Sequence, residues 1–242
     1  MHTEHTILAS RFCLFLVVGL GCGLVKGTAS PPVPCPIPLE KGTSWTYEGK
    51  VKWTIADSAM VRSTNVHWVM EVIETKENES GRVAVVRGFP DELAWYEPHQ
   101  SPRFSVILSV SNRICRVAAK SEREAEELAK RFVGELPRLP PCAEEWLVLP
   151  LAERKRWGGD TNRDDNWYCW YVQNQKVKKV RVRGFSAKRP VSVWTLAYRT
   201  NPDHQIMDIA AGIGITRYVF EHHGTVASAD VRLISFKRSA IP

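Results

Sequence analysis

The chain has 242 residues, of which 44% are hydrophobic and 24% charged, and its formal net charge is +7. This composition excludes a disordered chain and a chain embedded in a membrane along its length, while the length allows either one large domain or two small ones. The modest positive charge suits an anionic envelope surface and gives no indication of a nucleic-acid partner.

Residues 1–29 have the pattern of a signal peptide. Arg11 precedes an apolar run at residues 12–20, which is too short to cross a bilayer but has the length of a signal core. Small residues lead up to Ala29, after which we predict cleavage. A lipoprotein signal with Cys22 as the lipidated residue is the alternative, although Gly19 stands where such a signal has leucine. We therefore expect an exported protein, periplasmic or extracellular, with a lipid anchor left open and no other membrane-crossing segment.

Cleavage would leave four cysteines, Cys35, Cys115, Cys142 and Cys169. An even number in an exported protein favours disulfide bonds, and four cysteines allow three pairings. Four buried thiols are the alternative. The spacing Cys-x-x-Cys is absent from the sequence, so neither a zinc knuckle nor a thioredoxin-like site is expected.

Most of the chain predicts antiparallel strands. Residues 30–38 are rich in proline and predict an extended tether, and residues 45–55 then alternate strictly between apolar and polar side chains, which is typical of a strand with one buried face. The following predicted strands are residues 66–75, 82–89, 104–110, 113–117, 167–173, 176–185 and 191–200. Gly212 and Gly214 introduce a closing hairpin, with strands in residues 212–225 and 230–236.

A single amphipathic helix interrupts the strands. Ser121 and Glu124 form a capping box, apolar residues follow at helical spacing, and Gly134 marks the end. Such a helix packs on a sheet. The predicted fold is therefore mainly β (α+β), a curved antiparallel sheet or half-barrel with one packed helix, forming a single domain over residues 39–242.

Two short motifs occur twice in the same order. Pro38-Leu39 is followed by Trp45, and Pro150-Leu151 is followed by Trp157; an Arg-Gly-Phe tripeptide then follows each. These repeats predict two similar halves, residues 39–136 and 149–242. The match is imperfect because Arg154 stands where the first motif has Gly42.

The motif Pro38-Leu39-x-x-Gly42-x-x-Trp45-x-Tyr47, together with the closing hairpin sequence, resembles an uncharacterised β-rich family of exported bacterial proteins. That family is distantly similar to the half-barrels of periplasmic lipoprotein carriers, in which a curved sheet wraps around a helix. The resemblance implies a fold and an exported location. It implies no activity and no catalytic residues.

The aromatic side chains on the buried face suggest a binding surface. Trp45, Tyr47, Trp53 and Trp68 fall on core-facing strand positions, and in a half-barrel they would line the concave face. We predict that this face binds a lipid or another apolar or amphiphilic ligand without catalysis. The alternative is a structural or interaction module in which the tryptophans pack on the helix and fill the space themselves.

Three histidines are candidate metal ligands: His204, His222 and His223. Adjacent residues of a strand point to opposite faces, so His222 and His223 can share an ion only if the turn brings them together. A metal-dependent hydrolase using these residues is the third hypothesis, although no metallohydrolase motif supports it. No nucleophile motif is present, so no catalytic residue and no cofactor is predicted.

Overall fold

The computed structural model describes residues 35–55, 60–159, 161–162, 164–224 and 226–239. The predicted signal peptide, its cleavage after Ala29, the lipidation candidate Cys22 and the first part of the tether lie outside these residues. The described strands are β1 (Ser44–Thr54), β2 (Val61–Asn78), β3 (Gly81–Arg87), β4 (Phe104–Val110), β5 (Arg113–Ala119), β6 (Glu144–Val148), β7 (Arg156–Gly159), β8 (Cys169–Lys178), β9 (Arg181–Val182), β10 (Phe185–Ser186), β11 (Val191–Arg199), β12 (Asp203–Ala210), β13 (Gly214–His222) and β14 (Ala227–Lys237). The helices are α1 (Glu122–Glu135) and a 3₁₀ helix (Pro90–Trp95).

Twelve of the described strands form one antiparallel sheet in the order β6-β5-β4-β3-β2-β1-β14-β13-β12-β11-β8-β7. The sheet curls until its two edge strands, β6 and β7, are in contact. There the indole N–H of Trp157 in β7 donates to the carbonyl oxygen of Trp146 in β6 at 3.0 Å. The result is a nearly closed barrel. The predicted curved antiparallel sheet is thus confirmed, but it wraps much further round than a half-barrel. Strands β9 and β10 form a small separate hairpin.

The first strand has the predicted alternation. Trp45, Tyr47 and Val51 are fully buried, while Glu48 and Lys50 are exposed. This is the arrangement expected of a strand that has one face in the barrel interior and the other in water.

Strand β3 is buried on both faces, and this explains where the helix lies. Val83 and Val85 belong to one apolar cluster with α1, whereas Ala84 and Val86 belong to the cluster that fills the barrel interior. The helix therefore covers the outer surface of the barrel. The prediction of one packed helix is confirmed, but the tryptophans do not pack on it, because the wall of the sheet separates them from it.

The helix begins as predicted and ends slightly later. The Ser121 hydroxyl accepts the backbone N–H of Glu124 at 3.2 Å, and the Glu124 carboxylate in turn accepts the backbone N–H of Lys120 at 2.6 Å. The helix continues through Gly134 to Glu135. Its inward stripe consists of Ala125, Ala129 and Phe132, all buried.

The barrel interior is filled partly by segments that are not strands. Ile37 and Leu39, which precede β1, are 5% and 3% exposed and belong to the interior cluster. The described end of the Pro-rich segment is thus part of the core rather than a free linker. The 3₁₀ helix contributes Leu93, which is fully buried in the same cluster.

The closing hairpin is confirmed, whereas the strands before it were predicted less well. β13 and β14 pair antiparallel, with Tyr218 opposite Val231. Residues 176–185 are not one strand, since they comprise the end of β8 and part of the β9–β10 hairpin. Strands β6, β7 and β12 were not predicted. Within the described residues, no helix is long and apolar enough to cross a membrane.

Candidate ligand cavity and histidine cluster

A cavity of about 410 Å³ lies inside the barrel beside the place where β6 and β7 meet. Its wall is built by the beginning of the 3₁₀ helix and by strands from both halves of the chain. One end reaches the surface, since Glu144 and Gly159 are exposed. The lining residues are Phe89, Pro90, Asp91, Arg116, Glu144, Glu145, Trp146, Gly158, Gly159, Trp170, Tyr198, Gln205, Met207, Ile215 and Tyr218.

A cluster of charged side chains around Arg116 forms part of this wall. The Arg116 guanidinium donates to the Asp91 carboxylate and lies 3.5 Å from a carboxylate oxygen of Glu144. It also lies over the ring of Phe89, 5.1 Å from the ring centroid. Burial lowers the pKa of Arg116, but the carboxylates of Asp91 and Glu144 outweigh that effect and raise it, so the guanidinium stays charged.

Carboxylates outnumber cations in the lining of the cavity. The lining contains the three carboxylates of Asp91, Glu144 and Glu145 and one guanidinium, that of Arg116. Two further cations lie beside Glu145 but outside the lining: Arg113, paired with it at 3.2 Å, and Lys155. A cavity with this balance disfavours an anionic ligand group.

Aromatic rings form the rest of the wall. Phe89 and Trp146 meet edge to face with centroids 4.9 Å apart, and Trp170 and Tyr198 lie 5.3 Å apart. Burial raises the pKa of the Tyr218 phenol well above its usual value. That phenol is therefore neutral, and its hydroxyl donates to Oε1 of Gln205, another lining residue, at 3.5 Å.

The four residues predicted to bind a ligand lie away from this cavity. Trp45 and Tyr47 are fully buried and donate to the backbone carbonyls of Ile213 and Ile215. Trp68 is 6% exposed and donates to the carbonyl of Gly88 at 2.9 Å.

Half-buried Trp53 packs on Tyr96, with ring centroids 5.2 Å apart. The space beside Trp45 is only about 10 Å³, roughly the room of one water molecule. This part of the concave face is filled by the protein's own side chains. Ligand binding by these four residues stays a prediction, and the cavity of about 410 Å³ lies elsewhere in the interior.

The structure brings together two of the three candidate metal ligands. The Nε2 atom of His223 lies 3.2 Å from the Nδ1 atom of His204, and their rings are 4.5 Å apart. His222 faces the other side of the sheet, where its Nδ1 atom lies 2.7 Å from a carboxylate oxygen of Asp203. The third side chain beside the pair is Glu221, whose carboxylate lies within 4.8 Å of one ring nitrogen of each histidine.

Sequence reasoning missed Glu221, although a signal for it was present. Residues 221 and 223 have the same parity along a strand, so they share a face from which His222 is excluded. The cavity residues carried no comparable signal, because Asp91, Arg116, Trp170 and Tyr198 come from four distant segments of the chain.

The four cysteines lie in different environments and form no disulfide bond in the part of the chain that the structure describes. Cys35 packs against the interior cluster, whereas Cys115 lies in the cluster beneath the helix, on the other side of the sheet wall. Cys142 is exposed and Cys169 is buried. Burial raises the pKa of Cys35 to about 11, so its thiol is protonated at neutral pH.

No protein-family model matches the sequence, and none of the curated proteins matches it. A solved structure described as a "putative lipoprotein" from Parabacteroides distasonis is similar over 85% of this chain and 100% of its own, with 11% identity and a TM-score of 0.39. A "putative exported protein with YmcC-like fold" from Bacteroides fragilis is similar over 84% of this chain and 98% of its own, with 11% identity and a TM-score of 0.36. Their descriptions agree with the predicted export, but at such scores neither likeness carries an argument.

Proposed function

We propose that this is an exported, non-catalytic envelope protein that binds a small amphiphilic ligand in the cavity beside β6 and β7. The observation that carries the proposal is the cavity itself, which has a volume of about 410 Å³ and is lined by five aromatic side chains and by a cluster of charged side chains around Arg116. Small-molecule sites have volumes of about 300–1,000 Å³ and combine apolar walls with a few polar groups. The export signal predicted from residues 1–29 supports the location.

The lining also indicates which ligand chemistry fits. Trp146, Trp170 and Tyr198 offer aromatic surface to an apolar body, and the carboxylates of Asp91 and Glu144 lie within the same cavity. Aromatic rings and carboxylates together favour a protonated amine or quaternary ammonium group, through cation–π attraction and charge. The ligand would therefore carry a cationic head rather than an anionic one.

A first experiment is native mass spectrometry of the protein purified from the envelope fraction without detergent. A retained ligand would add a defined mass to that of the polypeptide. Its head-group preference can then be measured with three probes that share a decyl tail: decyltrimethylammonium, decyl maltoside and decyl sulfate, each below its micellar concentration. We expect decyltrimethylammonium to bind at least about tenfold more tightly than decyl sulfate, because the cavity carries excess carboxylate charge.

Two tyrosine variants locate the binding. Tyr198 lines the cavity and packs on Trp170, whereas Tyr96 is similarly half-buried and packs on Trp53 outside it. We expect Tyr198→Ala to weaken binding of decyltrimethylammonium about tenfold or more, as loss of an aromatic anchor does. Tyr96→Ala should leave it unchanged. Equal affinities in the two variants, or no binding of any probe by the wild type, would overturn the proposal.

A structural or interaction module is the second candidate, and one observation favours it. The interior around Trp45 and Tyr47 is already filled, so the barrel is stable there without a ligand. A bare polypeptide mass, together with no binding of any decyl probe, would favour this candidate. The lipoprotein-carrier relationship suggested by the sequence motifs stays a prediction under either one.

A further inference from the structure

Three side chains on the outer face of the barrel have the composition of a zinc site. The pairing of β12 with β13 places His204 directly opposite Glu221. His223 follows β13 at the start of the turn to β14, and its backbone N–H donates to the carbonyl of Pro202 at 2.6 Å. That hydrogen bond holds the turn beside the beginning of β12, which brings His223 to His204.

Strand alternation separates this cluster from the interior. The neighbouring pair, Gln205 and Phe220, faces inward, since Gln205 lines the cavity and Phe220 belongs to the interior cluster. His204 and Glu221 therefore project from the opposite face. His222 is excluded from the cluster for the same reason and contacts the ring of Trp95 instead.

We infer that His204, Glu221 and His223 form a binding site for a divalent transition-metal ion, with Zn²⁺ as the best fit. Zinc binds histidine nitrogen at about 2.0–2.1 Å with tetrahedral angles, which requires two ligating nitrogens to lie roughly 3.3–3.4 Å apart. Nδ1 of His204 and Nε2 of His223 lie 3.2 Å apart, so both can ligate one ion with little movement. Glu221 supplies the third ligand, and a water molecule would complete the set.

Two side chains, Trp167 and Arg199, lie beside His204. The ring of Trp167 packs on the His204 ring, with centroids 5.9 Å apart, and this contact restricts the imidazole on one side. Arg199 of β11 lies directly opposite His204 and brings a positive charge to the site. Its guanidinium lies over the ring of Tyr171, 5.7 Å from the centroid. The carboxylate of Glu221 offsets that charge at the site.

The position of the cluster indicates what a bound ion would do. It would join the beginning of β12 to the turn after β13, directly behind the wall that carries Gln205 into the cavity. The ion would thus stabilise the wall of the barrel from outside. It would not act on a ligand in the cavity, because its three side chains face away from it.

The test uses the exported protein without affinity-tag histidines, titrated with Zn²⁺ by calorimetry and with Co²⁺ by visible absorption. We expect one ion per chain, the intense absorption of tetrahedral Co²⁺, and a raised unfolding temperature with Zn²⁺. His204→Ala and His223→Ala should each weaken binding at least about tenfold, as loss of one of three ligands does, and Glu221→Gln should weaken it less.

His67 provides a matched control. It lies opposite Glu48 on β1 and β2, with its Nδ1 atom 3.2 Å from a glutamate oxygen, and so repeats the cross-strand histidine–glutamate pair at another exposed place. His67→Ala should bind Zn²⁺ as the wild type does. His204 is half-buried and His223 is exposed, and circular dichroism will verify that both variants fold. The inference is overturned if the wild type binds no ion, if neither histidine variant weakens binding, or if His67→Ala weakens it equally.

Discussion

The two halves of the barrel begin with the same turn but meet each other differently. In the first half, the N–H of Gly42 donates to the carbonyl of Val72 at 2.8 Å, and the N–H of Val72 donates back to Thr43 at 2.9 Å. In the second half, the N–H of Arg154 donates to the carbonyl of Val172, and the N–H of Val172 donates back to the carbonyl of Lys155, both at 2.9 Å. Gly42 and Arg154 also share a left-handed backbone, with φ of 82° and 66°.

The strands that follow these turns differ greatly in length. β1 has 11 residues and pairs with β14 from Ser44 to Lys52, which closes one of the two seams between the halves along most of the strand. β7 has 4 residues and contacts β6 through the hydrogen bond from Trp157 to Trp146. The cavity lies at this second, open seam.

The difference between the two seams explains why the cavity lies at only one of them. Strands β1 to β5 lie in the first predicted half, β6 lies between the two halves, and the other six strands of the sheet lie in the second half. β1 pairs with β14, the last strand of the second half, whereas β7 meets β6. The shared turns support the predicted duplication of residues 39–136 and 149–242, which stays a prediction. The open seam leaves a cavity beside the interior aromatic rings, where β7 is only 4 residues long.

The largest expected effect is a difference in stability between variants of Trp45 and Trp157, which hold equivalent positions in the two repeated motifs. Trp45→Ala should lower the free energy of unfolding by about 3–5 kcal/mol, since it empties a fully buried site at the closed seam. Trp157→Ala should cost less, about 2–3 kcal/mol, because water from the adjoining cavity can occupy the space left behind. Urea denaturation of both variants measures the difference. Equal losses would show that the two seams are packed alike.

A second prediction concerns the pH dependence of the free energy of unfolding, to which Glu92 contributes. Burial raises the pKa of Glu92, in the 3₁₀ helix, to about 7 from its ordinary value of 4.5. The folded protein thus holds this proton more tightly than the unfolded chain, so the group's contribution to stability is complete below pH 4.5 and is lost as the pH rises through 7.

We expect the free energy of unfolding to fall by roughly 1–2 kcal/mol between pH 5 and pH 8 because of this residue, since solvent screens a carboxyl that is only partly buried. Urea denaturation at the two pH values measures the change. Glu92→Gln, which cannot ionise, is the control and should lose that part of the pH dependence. A variant with the same profile as the wild type would exclude Glu92 as its cause.

The smallest effects compare the two turns and have opposite signs. Gly42→Ala should lower the free energy of unfolding by about 1 kcal/mol, because alanine is strained at positive φ. Steric clash does not contribute, since the nearest atom to an added Cβ is 3.7 Å away, at Ser239. Arg154→Gly should raise it by about 0.5 kcal/mol by relieving the same strain. Thermal unfolding of both variants is the measurement, and shifts of the same sign would contradict the equivalence of the turns.

Those parts of the fold that depend on neighbouring residues could be predicted from the sequence. The alternation around Trp45, the capping box at Ser121 and the closing hairpin each have a local pattern, and the structure contains all three. Strand β12 was missed because its buried positions, such as Met207 and Ile209, alternate with partly exposed residues of mixed character.

Only the tertiary structure decided how far the sheet closes and what lies at its seams. The cavity combines Asp91, Arg116 and Tyr198 from separate strands and loops, and no spacing in the sequence expresses that proximity. Glu221 joins His204 and His223 through the register of β12 against β13, which is likewise a property of pairing between strands. Periodicity determines which face of a strand is buried. The length of the pairing at each seam determines whether that face is covered by the protein or left open to a ligand.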